Sequence, residues 1–226
     1  MFFELFSLTG GIACGKSTVS TMLKELGATI IDVDLVVRSV QEPGCRTLNK
    51  IFSIWPEVKN ANGTLNRERL GEIIFANKTE KMRLERLMMA PTLGCILQHI
   101  VQAWWHGADV ILLDHPYLFE TKIFVYLSAA IAVVYVNPDV QLRRLIQRNG
   151  YTEEHAKQRI NGQMPLAVKL KKARWRLDNN GSQQDTKAEV QTMYRQMQQM
   201  ARKCRIVRRF LCVVATVSLL LVWKAI

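Results

Sequence analysis

Residues Gly10-Gly-Ile-Ala-Cys-Gly-Lys-Ser17 match the phosphate-binding pattern G-x-x-x-x-G-K-[ST] in full. Gly10 and Gly15 let the backbone wrap closely around a phosphate and direct its N–H groups inward. The start of the helix that should follow adds the positive end of its dipole. Lys16 would reach the outer phosphates, and the Ser17 hydroxyl would bind Mg²⁺. The pattern predicts a nucleotide site at Gly10, Gly11, Ile12, Ala13, Cys14, Gly15, Lys16, Ser17 and Thr18. The Cys14 thiol, near a helix start, is also a candidate reactive group.

Two carboxylates follow the next apolar run, in Ile31-Asp-Val-Asp34. If that run is a parallel strand, both lie at the carboxyl edge of the sheet, where the phosphate loop also lies. They would share one side if the strand continues. One could accept a proton from an acceptor hydroxyl, and the other could order Mg²⁺ through water. Alternatively, one of them caps the following helix.

The elements that must position these groups are short apolar runs separated by helical stretches. Continuous apolar strands of this kind indicate a parallel sheet covered on both faces, an α/β fold. The segment from 35 to 106 is mostly helical, with predicted breaks at Pro43-Gly44, Pro56, 60–63 and Pro91. It is too long for one crossover, so it should contain a helical insertion. Two further helices should join near Asn149-Gly150. The predicted strands are 2–8, 28–31, 110–113, 131–136 and 176–178.

Several classes of protein can be set aside. Five cysteines with no C-x-x-C spacing exclude a disulfide framework and a zinc site. An ordinary apolar fraction of 49% excludes a disordered chain. A GTPase would need Asn-Lys-x-Asp after a strand, whereas the similar string here, Asn77-Lys78-Thr79-Glu80, ends in Glu and falls in the insertion. A single domain with an inserted lobe and an Arg-rich late helix instead favours a nucleoside or nucleotide kinase.

The phosphate loop followed by Ile31-Asp-Val-Asp34 closely resembles dephospho-coenzyme A kinase, and the resemblance covers roughly residues 3–182. The chain differs from the family pattern at Ala90, His115, Tyr117 and Arg174. Further segments that resemble the family's motifs are Asn62-Gly-Thr-Leu-Asn-Arg67, Asp114-His-Pro-Tyr-Leu-Phe-Glu120, Gln141-Leu-Arg-Arg-Leu-Ile-Gln-Arg148, Arg159-Ile-Asn-Gly-Gln163, Lys169 and Asp178-Asn179. A basic segment and an apolar run beyond them resemble the animal, domain-containing branch of the family.

The resemblance implies a kinase fold of the P-loop nucleoside-triphosphate-hydrolase type over residues 1–190, with a helical acceptor-binding insertion at about 40–105 and a lid at about 140–165. It implies the reaction of ATP with 3′-dephospho-coenzyme A to give ADP and coenzyme A, with Mg²⁺ at Ser17 and Asp32. Asp34 would be the base, beside Asp32, although the sequence leaves open which of them takes the proton. The implied lid arginines are Arg144 and Arg148; the implied acceptor-side residues are Thr9, Asp34, Arg67, Glu120 and Gln163. Without the resemblance, the lid arginines also suit a solvated basic face.

The net charge of +12 is distributed unevenly, because no acidic residue follows Glu189 whereas seven basic residues do. Fourteen uncharged residues, Phe210 to Trp223, come after most of those bases. We expect residues 191–226 to be a basic linker and an apolar tail that anchors the protein in a cytosol-facing membrane, either the mitochondrial outer membrane or the endoplasmic reticulum. The alternative is a terminal element buried in the domain, in an otherwise cytoplasmic protein.

Two other functions compete with an active kinase. One is a noncatalytic relative that keeps the nucleotide fold as an interaction module at a membrane. The other is a nucleic-acid binder that uses the basic tail and Trp104-Trp105. Paired Trp residues on a helix are more typical of a core or an interface, and the tail bases adjoin an apolar run rather than stacking aromatics. We therefore expect no nucleic-acid partner. The oligomeric state stays open.

Overall fold

The computed structural model describes residues 4–202, and within that range five strands form one sheet. The strands occur in the order β2-β3-β1-β4-β5, and β1 pairs in parallel with both β3 and β4, as β4 does with β5. The predicted parallel sheet is confirmed, with small shifts at the strand ends. The strands are β1 (Leu5–Gly10), β2 (Thr29–Asp32), β3 (Ile111–Asp114), β4 (Ser128–Tyr135) and β5 (Trp175–Asp178).

Helices connect these strands, as parallel pairing requires. The break predicted near Asn149-Gly150 is confirmed, because α8 ends at Asn149 and α9 begins at Glu153. The helices are α1 (Lys16–Glu25), α2 (Val33–Ser39), α3 (Arg46–Ile54), α4 (Arg67–Ala76), α5 (Lys78–Trp105), α6 (Leu118–Thr121), α7 (Ile123–Leu127), α8 (Pro138–Asn149), α9 (Glu153–Asn161), α10 (Leu166–Lys171) and α11 (183–202), with a 3₁₀ turn at Pro56–Val58.

The break predicted at Pro91 is wrong, because α5 runs continuously through it for 28 residues. A proline inside a helix removes one backbone N–H and crowds the carbonyl four residues earlier. In a helix of this length the many remaining bonds outweigh that loss, and Met88, Ile96 and Ile100 are buried on either side of the proline.

The chain divides into two compact units. The first unit contains the chain up to Ile30 and from Ala103 on, and its core forms around the sheet, with Phe6, Leu8, Leu112 and Val134 fully buried. The second unit, Ile31–Gln102, has a core of its own made from helices α3 to α5 and the 3₁₀ turn. Members of this second core are Leu48, Ile51, Trp55, Val58, Leu65, Leu70 and Met88.

The domain boundary predicted at residue 190 falls inside helix α11 and needs correction. Val190, Met193, Met197 and Ala201 are buried in the core of the first unit. Apolar residues at spacings of three and four lie on one face of a helix, so residues 191–202 pack with the domain and do not form a linker. No helix within 4–202 has the length and apolar character needed to cross a bilayer. The predicted anchor, Phe210 to Trp223, lies outside the described residues.

Candidate active site

The phosphate loop connects β1 to α1, as its sequence predicts, and its last glycine is required by the backbone. Gly15 has a φ of 86°, a left-handed value that disfavours side-chain-bearing residues. A Cβ at Gly15 would also collide with the side-chain amide of Asn179. The loop therefore takes its tight turn where the pattern places a glycine, and the first N–H groups of α1 follow directly.

Lys16, the first residue of α1, donates a charge-assisted hydrogen bond to Asp114 Oδ1. Asp114 ends β3, the strand next to β1, and only 5% of its side chain is exposed. A buried carboxylate needs a cationic partner, so this pair fixes the lysine at the loop. Asp114 was missing from the residues predicted for the site. The sequence signal that could have identified it is an acidic residue at the carboxyl end of a predicted strand, the same position relative to the sheet as the phosphate loop.

Three side-chain amides hold the loop from outside. Ile12 N–H donates to Gln163 Oε1 over 2.9 Å, and Gln141 Nε2 donates to the Ile12 carbonyl over 2.9 Å. Asn179 Nδ2 donates to the Cys14 carbonyl over 2.9 Å, while its Oδ1 accepts from the Thr186 hydroxyl over 3.0 Å. The sequence assigned no role to Gln141 or Asn179 beyond their motifs, because their partners lie far away along the chain.

The two predicted lid arginines differ in environment. Arg144 Nη2 donates to the Asn179 carbonyl over 3.1 Å, and its Nη1 would lie 4.0 Å from a Cβ at Gly15. Arg144 is therefore beside the loop. Arg148, one turn further along α8, is exposed and donates to Asn149 Oδ1 over 2.9 Å.

A buried ammonium group organises the segment after β3. Lys169 is fully buried, and its Nζ donates to Glu120 Oε1 over 3.0 Å and to the Pro116 carbonyl over 3.2 Å. Glu120 Oε1 also accepts from Met164 N–H over 3.0 Å. Burial pushes the pKa of Glu120 upward, but the bonds from Met164 and Lys169 outweigh it and hold that pKa below its usual value. Thr9 is fully buried too, and its hydroxyl donates to Pro116 over 3.2 Å.

Two titratable groups near the loop stay uncharged. Burial raises the pKa of the Cys14 thiol, and the residue is fully buried, so the expected reactive cysteine is not found. Burial, together with the charge of Lys16, lowers the pKa of His115 to about 4. His115 is thus a neutral imidazole at neutral pH. Its Nε2 lies 3.2 Å from the Thr121 hydroxyl, and its ring meets Phe124 edge-on at 6.0 Å.

The second unit carries the remaining predicted residues. Asp32 is the N-cap of α2, and its Oδ1 accepts from Asp34 N–H over 2.9 Å and Leu35 N–H over 3.2 Å. The capping alternative is therefore realised by Asp32. The strand does not continue, because α2 begins at Val33, so Asp34 is exposed in the first turn of a helix. Arg67 begins α4 and donates to the Oε1 of buried Gln41.

The hydroxyl of Ser17 is a candidate ligand for a metal ion bound to a nucleotide. Within 4–202, no three His, Cys, Asp or Glu side chains cluster as a metal site. Mg²⁺ commonly takes one or two protein ligands and fills its shell with waters and phosphate oxygens. Ser17 is exposed in the first turn of α1, so its hydroxyl is accessible for that purpose.

Comparison with known proteins agrees with this geometry. The family model described as dephospho-CoA kinase matches residues 5–185. The chain belongs to the dephospho-CoA kinase family. It is 39% identical to the dephospho-CoA kinase of Geobacillus kaustophilus over 84% of this chain and 94% of the relative. It is 41% identical to a dephospho-CoA kinase domain-containing protein of Danio rerio over 82% of each chain. The solved dephospho-CoA kinase of Campylobacter jejuni superposes with a TM-score of 0.67, at 28% identity over 86% of this chain and 97% of that one.

The structure accommodates the four differences from the dephospho-CoA kinase family pattern. Ala90 is on the exposed surface of α5, and Tyr117 is 48% exposed at the start of α6. Arg174 is exposed, with its guanidinium 5.6 Å from the centre of the Trp175 ring. His115 is buried as a neutral side chain. None of these differences lies within the phosphate loop or at Lys16, Asp114 or Arg144.

Proposed function

We propose that this protein transfers the γ-phosphoryl group of ATP to the ribose 3′-hydroxyl of dephospho-coenzyme A, giving coenzyme A and ADP. The observation that carries the proposal is an intact phosphate loop, with Lys16 held on Asp114, in a chain that belongs to the dephospho-CoA kinase family over residues 5–185. In the reaction a bond forms between the 3′-oxygen and the γ-phosphorus. The bond from that phosphorus to the ADP oxygen breaks, and the hydroxyl proton passes to a carboxylate.

On the nucleotide side, the backbone N–H groups from Gly10 to Thr18 would bind the phosphates, and Lys16 would offset their charge. The position of Arg144 beside Gly15 supports this assignment. Arg148 would add a second positive charge as the lid covers the phosphates. Fixed positive groups of this kind stabilise charge that develops on the moving phosphoryl group without reorganising.

On the acceptor side, Asp34 is our candidate for the base. Asp32 Oδ1 already accepts two backbone hydrogen bonds as the cap of α2, which favours a positioning task for that carboxylate. Thr9, Arg67 and Glu120 would help to hold the acceptor, as the family resemblance implies. Mg²⁺, bound at Ser17 and ordered by Asp32, would neutralise part of the phosphate charge.

The test is coenzyme A formation from ATP and dephospho-coenzyme A by the purified chain and by Lys16→Ala. We expect this variant to lose about a thousandfold in kcat/KM or more, because lysine charge at the outer phosphates acts mainly in the transition state. Lys24→Ala, at an exposed position in the last turn of the same helix, is the matched control and should retain full activity. A wild-type chain that binds ATP but forms no coenzyme A would support the noncatalytic alternative.

The two carboxylates are separated by Asp34→Asn and Asp32→Asn. Asparagine caps a helix about as well as aspartate, so the Asp32 variant should keep α2 intact. If Asp34 is the base, its variant loses far more kcat than the Asp32 variant. The reverse order would assign the proton transfer to Asp32.

We further propose that the apolar run from Phe210 to Trp223, with the basic residues before it, attaches the enzyme to a cytosol-facing membrane. The mitochondrial outer membrane and the endoplasmic reticulum are the two candidates. The full chain should pellet with membranes, whereas a chain ending at Arg202 should stay in the supernatant. Ending the chain earlier would remove the buried residues Met197 and Ala201 and destabilise the first unit. Equal partitioning of both chains would contradict the proposal.

A further inference from the structure

The peptide of Ile12, in the middle of the phosphate loop, is bonded on both sides by glutamine side chains. Its N–H donates to Gln163 Oε1, and its carbonyl accepts from Gln141 Nε2, each over 2.9 Å. The two glutamines are 151 and 129 residues away from Ile12 in the chain. They therefore fix the loop from a different part of the same unit.

The two glutamines belong to the two ends of the predicted lid. Gln141 is in the first turn of α8, and Gln163 follows the end of α9 by two residues. Helices α8 and α9 are in contact with each other as a helical hairpin. Both ends of that hairpin therefore meet one peptide of the phosphate loop.

Each glutamine is itself held in place. Gln141 is buried, and a Cβ on Gly11 would lie 2.6 Å from its Nε2, so the amide sits directly against the loop. The residue after Gln163 donates its N–H to Glu120 Oε1, which also accepts from Lys169. The Gln141 amide is therefore held by packing, and the backbone that carries Gln163 is held by the hydrogen bond of the next residue.

We propose that Gln141 and Gln163 are positioning residues that hold the phosphate loop in its nucleotide-binding shape and tie it to the lid. The inference rests on the proposed kinase function. Three residues after Gln141, Arg144 lies beside Gly15, so the same contact that fixes the loop also fixes the lid arginine. Residues three apart on a helix lie on one face. Loss of either glutamine would leave the loop to be ordered when the nucleotide binds, which weakens binding.

This role for Gln163 differs from the acceptor contact that the family resemblance implies, and the two have different kinetic consequences. A positioning role raises KM for ATP and leaves KM for dephospho-coenzyme A unchanged. An acceptor contact does the reverse. Steady-state kinetics of Gln163→Leu and Gln141→Leu with each substrate varied in turn distinguish them. We expect KM for ATP to rise about tenfold in both, which is the size of effect that a lost buried hydrogen bond produces.

The direction of the two hydrogen bonds gives a sharper test with variants of nearly equal shape. Gln163→Glu keeps an acceptor oxygen for Ile12 N–H, whereas Gln141→Glu sets a carboxylate oxygen against the Ile12 carbonyl. Both add one negative charge next to the same peptide, so their difference reports the direction of the bond. We expect Gln141→Glu to bind magnesium-ADP about tenfold more weakly than Gln163→Glu in calorimetry.

The control for added charge on the lid is Gln158→Glu, at an exposed position on α9, which should bind magnesium-ADP as the wild type does. Circular dichroism of each variant checks that it is folded. Equal ADP affinities for the two glutamate variants would overturn the proposal, as would a rise in KM for dephospho-coenzyme A alone. Because ADP binding needs no turnover, a wild-type chain that binds ADP without forming coenzyme A would contradict the proposed function only.

Discussion

Polar side chains in the first unit bond across long stretches of sequence, whereas those of the second unit bond mostly to near neighbours. Lys16 and Asp114 are 98 residues apart, and Asn179 and Cys14 are 165 apart. In the second unit, Asp32 caps its own helix two and three residues on, and Arg67 reaches Gln41 only 26 residues back. The phosphate loop is thus held by contacts between distant parts of the chain, whereas Asp32 and Arg67 in the second unit bond to residues nearer in sequence.

This difference predicts how the stability of each unit responds to substitutions. Buried, paired charges in the first unit are costly to separate, because a buried charge without its partner has lost its hydration and has no compensating electrostatic interaction. The polar groups of the second unit are largely solvated, and its stability comes from the core around Ile51 and Trp55. Substitutions should therefore act through electrostatics in the first unit and through packing in the second.

The largest expected effect on stability is in the second core. Ile51 is fully buried, so Ile51→Ala should lower the free energy of unfolding of that unit by about 4 kcal/mol through lost burial and a residual cavity. Phe75→Ala, at a position 84% exposed, is the control and should change it by less than about 0.5 kcal/mol. Denaturant unfolding measures both. The affinity of the folded variant for ADP should be unchanged. A loss of affinity would contradict the assignment of nucleotide binding to the first unit.

The next largest effect is the loss of stability on breaking a buried ion pair, compared with an exposed one. Glu120→Ala leaves the fully buried Lys169 without a charged partner and should cost about 3 kcal/mol in unfolding experiments. Glu72→Ala breaks the exposed pair with Arg69 in the second unit and should cost less than about 0.5 kcal/mol. Similar losses of unfolding free energy for the two variants would contradict the proposed difference between buried and exposed ion pairs.

An effect of similar size depends on pH through His115. Its pKa falls from 6.5 to about 4 on folding, so the unfolded chain binds the proton more readily between those values. The corresponding stability is fully present above about pH 6.5 and is lost as the pH falls toward 4, for a total of about 3 kcal/mol. His115→Leu should flatten the dependence of unfolding free energy on pH in that window. An unchanged dependence on pH in the His115→Leu variant would contradict this prediction.

The smallest expected loss of stability comes from substituting an asparagine, and two asparagines should differ in their effect on ADP binding. Asn66 caps α4 by accepting from Arg69 N–H over 3.0 Å, and Asn66→Ala should cost about 1 kcal/mol with no change in ADP affinity. Asn179→Ala removes the bond to the Cys14 carbonyl at the loop, so ADP should bind about tenfold more weakly. Calorimetry with ADP distinguishes the two, and equal affinities would show that Asn179 does not shape the loop.

Much of this arrangement was predictable from local pattern. Continuous apolar runs predicted the first four strands of the sheet, since strands covered on both faces leave no polar alternation. The fifth, at 176–178, was predicted as a short strand without such a run. The loop, α1 and the cap at Asp32 follow from residue types a few positions apart. The helix through Pro91 was not predicted, because the cost of a single proline is visible locally and the stabilising burial along α5 is not. The boundary at 190 was wrong for a similar reason. In the sequence, Met193 and Met197 are isolated apolar residues in a polar segment, and only the structure shows that they are buried in the core of the first unit.

The sequence by itself determined the chemistry this chain can perform and the family to which it belongs, because those reside in short patterns of fixed spacing. Tertiary structure alone decided which side chains hold the phosphate loop. It pairs Lys16 with Asp114, places Asn179 against Gly15 and brings Gln141 and Gln163 to Ile12. The physical reason is that a hydrogen bond depends on a separation of about 3 Å in space. Separation along the chain carries no information about it once a parallel sheet has brought distant strands side by side.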